Sequence, residues 1–124
     1  MKLILLLSII LHMQPNLPER QLLLFYSEPG KALMEKQRKE LDSQEAGLKE
    51  RDVIVKKYPV GSTDEAILKT WKISTSSQFT CILIGRDGGE KFRTSELLSS
   101  GKLFAIIDAM PMRRNEKRRS GGSD

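Results

Sequence analysis

The sequence predicts an α/β domain on a four-stranded mixed sheet, with element order β-α-β-α-β-β-α and helices on both faces. Three observations carry this expectation. Gln21 to Tyr26 (QLLLFY) and Phe79 to Ile84 (FTCILI) are continuous apolar runs, the pattern of strands covered on both sides. Helical spacing between the first run and a β-branched segment, Asp52 to Tyr58, implies a crossover joining two parallel strands. Gly85-Arg86-Asp87-Gly88-Gly89 joins the last apolar run to a short polar segment, so the sheet closes with an antiparallel hairpin.

Taken in order, Pro15, Asn16 and Pro18 mark a linker, which divides the chain into a leading segment at 1–18, a domain at 19–118 and a flexible tail at 119–124. The strand from Gln21 is broken by Ser27-Glu28-Pro29-Gly30. Lys31 to about Glu45 then reads as helix, with Met34, Gln37, Leu41 and later Leu48 spaced along one face and charges elsewhere. Gly47 loosens this helix before the second strand, which Pro59 and Gly61 end. Ser62 and Glu65 have capping-box spacing and open a short helix with Ile67, Leu68 and Trp71 inward. After the hairpin, Glu90 to Arg93 has the polar, short character of an edge strand. A last helix spans about Ser100 to Ala109, with Leu103, Phe104, Ile106, Ile107 and Met110 buried. With the first helix it is expected to cover one sheet face, and the short middle helix the other.

Composition removes much of enzymology. The 39% apolar and 30% charged residues are those of a globular chain, and 124 residues suit one small domain. The only histidine is His12, inside the N-terminal apolar segment, so a Ser-His-Asp triad, a Cys-His pair and histidine metal sites are not expected in the domain. Cys81 is the only cysteine, which leaves neither an internal disulfide nor a Cys-x-x-Cys pair. No cofactor or metal is expected. Residues 113–119 (RRNEKRR) hold five positive charges and one negative, so most of the net +5 comes from one short segment. Specific nucleic-acid binding, which needs a basic face across the domain, is therefore not expected.

Lys2 followed by Leu3 to Leu11 has the n-region and apolar core of an export signal, too short to span a bilayer. No small-x-small pair follows it, and a buried N-terminal helix or strand is the competing reading. A periplasmic or secreted setting is the expectation, and a single cysteine is compatible with it.

The segments Gln21–Tyr26, Glu50–Val55, Leu83–Gly89 with Lys91, and Ile107-Asp-Ala-Met-Pro-Met-Arg113 resemble an uncharacterised family of thioredoxin-like, peroxiredoxin-like domains. That family occurs in bacterial exported proteins, and related domains occur in vertebrate sushi-repeat-containing and coiled-coil-containing matrix proteins. The resemblance covers about residues 19–118. It implies a thioredoxin-like fold and an extracytoplasmic setting, and it brings no settled activity. Thioredoxins carry their redox pair between the first strand and first helix, where this chain has Ser27-Glu28-Pro29-Gly30. Their proline before the third strand is replaced by Ser77-Gln78.

Four places compete as sites. Cys81, mid-strand, is expected to be a buried apolar residue rather than a reactive thiol. Ser27, Glu28 and Gly30 lie at the strand edge where open α/β sheets often bind ligands, although they are also ordinary turn residues. Met110-Pro111-Met112 offers two thioethers as an adaptable contact surface or soft-metal ligands, with Pro111 ending the helix. Arg113 and Arg114 open a basic run suited to anions, and Arg113 is expected to pair with Asp108 or Glu116. The expected role is non-catalytic binding of an unknown protein or anionic ligand through Asp108, Met110, Pro111, Met112, Arg113 and Arg114. The alternatives are an oxidoreductase or peroxidase-like enzyme using Cys81, and a polyanion-binding protein using 113–119 with weak contact to anionic surfaces.

Overall fold

The computed structural model describes residues 17–120, the last two as backbone only. The expected signal segment and the end of the tail lie outside the described residues. Strand β1 (Arg20–Tyr26) is followed by a single 3-10 turn, Glu28–Gly30, and helix α1 (Lys31–Asp42). Short helix α2 (Glu45–Glu50) precedes β2 (Val53–Pro59). Helix α3 (Glu65–Thr70), strands β3 (Phe79–Ile84) and β4 (Glu90–Thr94), and helices α4 (Ser100–Asp108) and α5 (Pro111–Ser120) complete the order.

The sheet order is β2-β1-β3-β4. Strand β1 pairs parallel with β2 and antiparallel with β3, with Leu24 opposite Cys81. The two apolar runs are thus the two central strands, and every residue of β3 is buried. Alternation along them divides the core. Leu22, Leu24, Cys81 and Leu83 pack with Met34 and Leu41 of α1, Leu48 of α2, and Leu103 and Ile107 of α4. Leu23, Phe25, Ile82 and Ile84 meet α3 through Ile67, Leu68 and Trp71, and Phe25 stacks on Tyr58 with centroids 4.9 Å apart. Phe104, Ile106 and Met110 are only partly buried against the first cluster.

Gln37 is a polar residue on the apolar face of α1, and it is fully buried. Its side chain donates to the Leu98 carbonyl at 2.9 Å and accepts the Leu98 amide at 2.7 Å. Both halves of the side-chain amide are matched by one backbone unit, so this burial costs little. Nearby, Glu40 accepts from the amide and hydroxyl of Ser100 at 2.8 and 2.9 Å, holding the first turn of α4 against α1.

Three local expectations are corrected. The first helix stops at Asp42, and Gly47 lies inside the separate helix α2. Ser62 does not cap α3: Asp64 is the N-cap, without a side-chain cap bond, and Ser62 and Thr63 hydroxyls turn back to the Pro59 carbonyl. The hairpin forms as read, with Gly88 at φ +81°, but the ladder carries an irregularity at Leu83/Ile84. Pro111 does not merely end a helix. It opens α5 at the position where a missing amide proton costs nothing, and the basic run continues as helix to Ser120.

Cys81 is 0% exposed, and burial pushes its thiol up to about 12. Ellman's reagent at pH 8 is expected to leave the native thiol untouched and to titrate it fully in denaturant. Rapid native labelling would overturn the assignment of Cys81 to the core.

Candidate functional site

Two ends of the sheet are candidates. At the C-terminal end of β1, where a thioredoxin holds its cysteines, Ser27 donates its amide to the Gln78 carbonyl at 3.0 Å. Gly30 is buried, and a Cβ there would lie 1.9 Å from the Gln78 carbonyl oxygen. The segment before β3 therefore closes directly onto the 3-10 turn, and only glycine permits that approach. A shallow cavity of about 420 Å³ remains alongside, lined by Tyr26, Ser27, Glu28 and Pro59–Ser62. It has no sulfur and no ionic network.

The opposite end is built differently. Because β3 runs antiparallel to β1, the N-terminal end of β1, the start of β2 and the C-terminal end of β3 meet there. This brings together Arg20, Arg51, Arg86 and Arg113 with Glu50, Asp52, Asp108 and Glu116. Glu116 receives a fork from Arg20 at 2.9 and 3.2 Å, and the Nε of Arg86 at 2.9 Å. Arg86 also donates to Asp52 at 2.8 Å and to the Pro18 carbonyl at 2.7 Å. Asp108 receives a fork from Arg51 at 3.0 and 3.1 Å, and the Nε of Arg113 at 3.3 Å. Arg113 reaches Glu50 at 3.0 Å, and Arg51 lies 4.0 Å above the Phe104 ring. Asp52 adopts φ +55°, a left-handed turn that short polar residues tolerate, immediately before β2.

Four arginines with largely buried side chains meet four carboxylates here, of which Glu50 and Asp52 stay open to solvent. Arg20 is 1% exposed and Arg113 3%. Burial alone would raise the Glu116 carboxyl, but the bonds from Arg20 and Arg86 outweigh it and hold the group down at about 2. The Arg51 fork, aided by Arg113, likewise holds Asp108 below the usual carboxylate range despite its partial burial.

Against this cluster lies a cavity of about 330 Å³, lined by Arg20, Gly85, Arg86, Asp87, Lys91, Met110, Pro111 and Met112. Of the six residues expected to form the site, Met110, Pro111 and Met112 line this cavity. Asp108 and Arg113 belong to the ion-pair cluster behind it, where the Arg113–Asp108 pairing expected from sequence is present. Arg114 faces solvent. Sequence reasoning missed Arg20, Arg51 and Arg86, although each sits beside a strand end. Mapped onto the sheet topology, all three fall at one end, and that was the available signal. Among the described residues no group of three or more His, Cys, Asp or Glu side chains could hold a metal ion.

Residues 14–116 match the family described as "Domain of unknown function (DUF4174)". The chain belongs to that family. Among solved structures it is similar to thioredoxin-2 of the malaria parasite, a component of that organism's protein secretion machinery, at 17% identity and TM-score 0.58. That likeness covers 74% of this chain and 84% of the other. A second malarial protein is 20% identical over 73% of this chain and 94% of its own, with TM-score 0.57. Trxlp from Edwardsiella tarda EIB202 is 26% identical over 72% and 82%, with TM-score 0.52. No curated protein matches the chain. The fold is thioredoxin-like.

Two predictions follow from the ion pairs. Arg113→Glu places a like charge among Glu50, Asp108 and Glu116, and should cost about 3 kcal/mol in urea unfolding. Arg118→Glu, on the exposed side of α5, should stay within about 0.5 kcal/mol. Equal effects would remove any structural role for Arg113. Glu116 titrates lower folded than unfolded, so its contribution is fully present above the unfolded carboxylate value and is lost as pH falls from about 5 towards 2. Stability measured across that window should fall less steeply in Glu116→Gln than in the natural protein.

Proposed function

We propose that this chain is a non-catalytic binding module of thioredoxin-like fold, working outside the cytoplasm and docking its ligand at the corner between α4 and α5. The observation that carries the reading is the 330 Å³ cavity with Met110, Pro111 and Met112 in its wall. Unbranched thioethers adapt to irregular apolar shapes, and Met112 is left 43% exposed beside the opening. The buried, high-pKa thiol of Cys81 and the closed turn at Ser27–Gly30 both argue against thiol chemistry at the customary end of the sheet. Export rests on Lys2 and the apolar run Leu3 to Leu11.

Polyanion binding through 113–119 is the second reading. Arg114, Lys117 and Arg118 are exposed on α5, which favours it, but Arg113 is committed to carboxylates and the stripe is correspondingly weaker.

Nile red, a neutral apolar dye, tests the module. Its fluorescence should rise on the folded protein, and Met112→Glu should weaken binding about tenfold, the effect of roughly 1.4 kcal/mol. Dithiothreitol-driven insulin reduction and peroxide consumption should match buffer alone. Peroxide turnover that disappears in Cys81→Ala would overturn the reading in favour of an enzyme.

A further inference from the structure

We infer that the outer face of α5 is the basic half of an attachment to an anionic membrane surface, and that the apolar run Leu3 to Leu11, which joins the domain at the same end of the sheet, supplies the other half. This goes beyond the docking corner and does not depend on it.

Most cations at this end are spent. Arg20, Arg51, Arg86 and Arg113 are paired with Glu50, Asp52, Asp108 and Glu116, and Lys91 is paired with Asp87. Arg114 and Arg118 remain. Both are exposed, they lie four residues apart and so on one face of α5, and neither joins an ion pair among the described residues. Residues 113–119 hold five positive charges and one negative, a net +4 of the chain's +5. The far end of the sheet has the opposite sign. Glu28, Asp64, Glu65 and Glu96 follow the C-terminal ends of β1, β2 and β4 and are exposed, against Lys31 and Lys72 at that end. A negatively charged plane therefore turns α5 towards itself.

Two observations favour a bilayer over a soluble polyanion. The first is apolar surface at the basic end. Leu17 is 56% exposed and Met112 43%, and each borders a recess that Arg86 also lines. A soluble polyanion leaves such side chains in water, whereas the boundary of a bilayer receives them. The second is the path of the chain. The Pro18 carbonyl accepts from Arg86, whose Nε donates to Glu116 on α5. The segment preceding Leu17 thus joins the domain beside α5. Residues 12–16 reach at most about 20 Å when extended, so an apolar run lodged in a membrane keeps α5 close to the same surface. The run is too short to span, and no small-x-small pair follows at which it would be cut away. A weak apolar anchor of this kind holds stably when a basic patch is added to it.

Sedimentation of the full-length chain with sucrose-loaded vesicles tests the inference. Phosphatidylcholine vesicles containing phosphatidylglycerol should bind it at least about tenfold tighter than pure phosphatidylcholine at low ionic strength, and added salt should remove that advantage. Arg114→Gln with Arg118→Gln should lower binding to the mixed vesicles at least about tenfold, leaving Tm and binding to pure phosphatidylcholine unchanged. Lys56→Gln with Lys57→Gln removes the same charge from exposed positions of β2 and should change binding by less than about twofold. Ile9→Asp should weaken binding to both kinds of vesicle. Equal losses in the two double variants would reduce the effect to net charge and overturn the assignment of the face. Mixed and neutral vesicles bound alike would overturn it too. Retention on heparin without binding to mixed vesicles would replace it with polyanion binding.

Discussion

The fold closes on the pair between Arg20 and Glu116, which lie 96 residues apart. Arg20 is the first residue of the central strand, and Glu116 lies in the middle of the last helix. Helix α5 has no apolar stripe with which to dock: of its side chains from Pro111 to Arg118, Arg113 alone is buried and Glu116 is half-buried. It is held by ions instead. Neither arginine could stay in place without its carboxylates, because an unpaired charge at that depth is far more costly than the pair is favourable. The carboxylate partners of Arg20 and Arg113 are thus a condition of the last helix lying where it does. The Glu116 carboxylate, bridging Arg20 and Arg86, also fastens the hairpin tip to α5.

The sequence made the two apolar strands, the Asp-Gly hairpin and the face Met34–Gln37–Leu41 readable, because each is a local signal with a period or a turn type. Even Gln37 fell on the right face, although its partner, the Leu98 backbone, could not be foreseen. What stayed hidden was non-local. Arg20, Arg51 and Arg86 each look like a solvated charge next to a strand or turn, and only the strand order brings their guanidiniums to one end of the sheet. Pro111 misled for a related reason. A proline both stops one helix and starts another, and what decides between these here is the anchoring of residues 113 and 116 by distant partners. The Ser62–Glu65 capping spacing failed against a competitor one turn away, the Pro59 carbonyl, which took the hydroxyls.

The two ends of the sheet are built differently. Thioredoxin chemistry depends on an accessible sulfur at the end of β1, with a neighbouring backbone open to a substrate. Here the Gln78 carbonyl is occupied by the Ser27 amide, and Gly30 lets that backbone come too close to admit anything between. The resemblance to thioredoxin-2 and its neighbours is one of chain path, at identities where fold persists after sites have changed. The ionic cluster and the cavity lie at the other end, on the α4–α5 corner.

The walls of the corner cavity are carried by separate elements. Met110 follows α4, whose Leu103 and Ile107 are locked in the core, and Met112 sits next to Arg113, which three carboxylates hold. Lys91 stands on β4 opposite, tied to Asp87 across the hairpin. Each wall therefore depends on a different part of the fold. The same ion pairs that allow a polar helix to dock thus also hold apart the walls of the cavity that the helix completes.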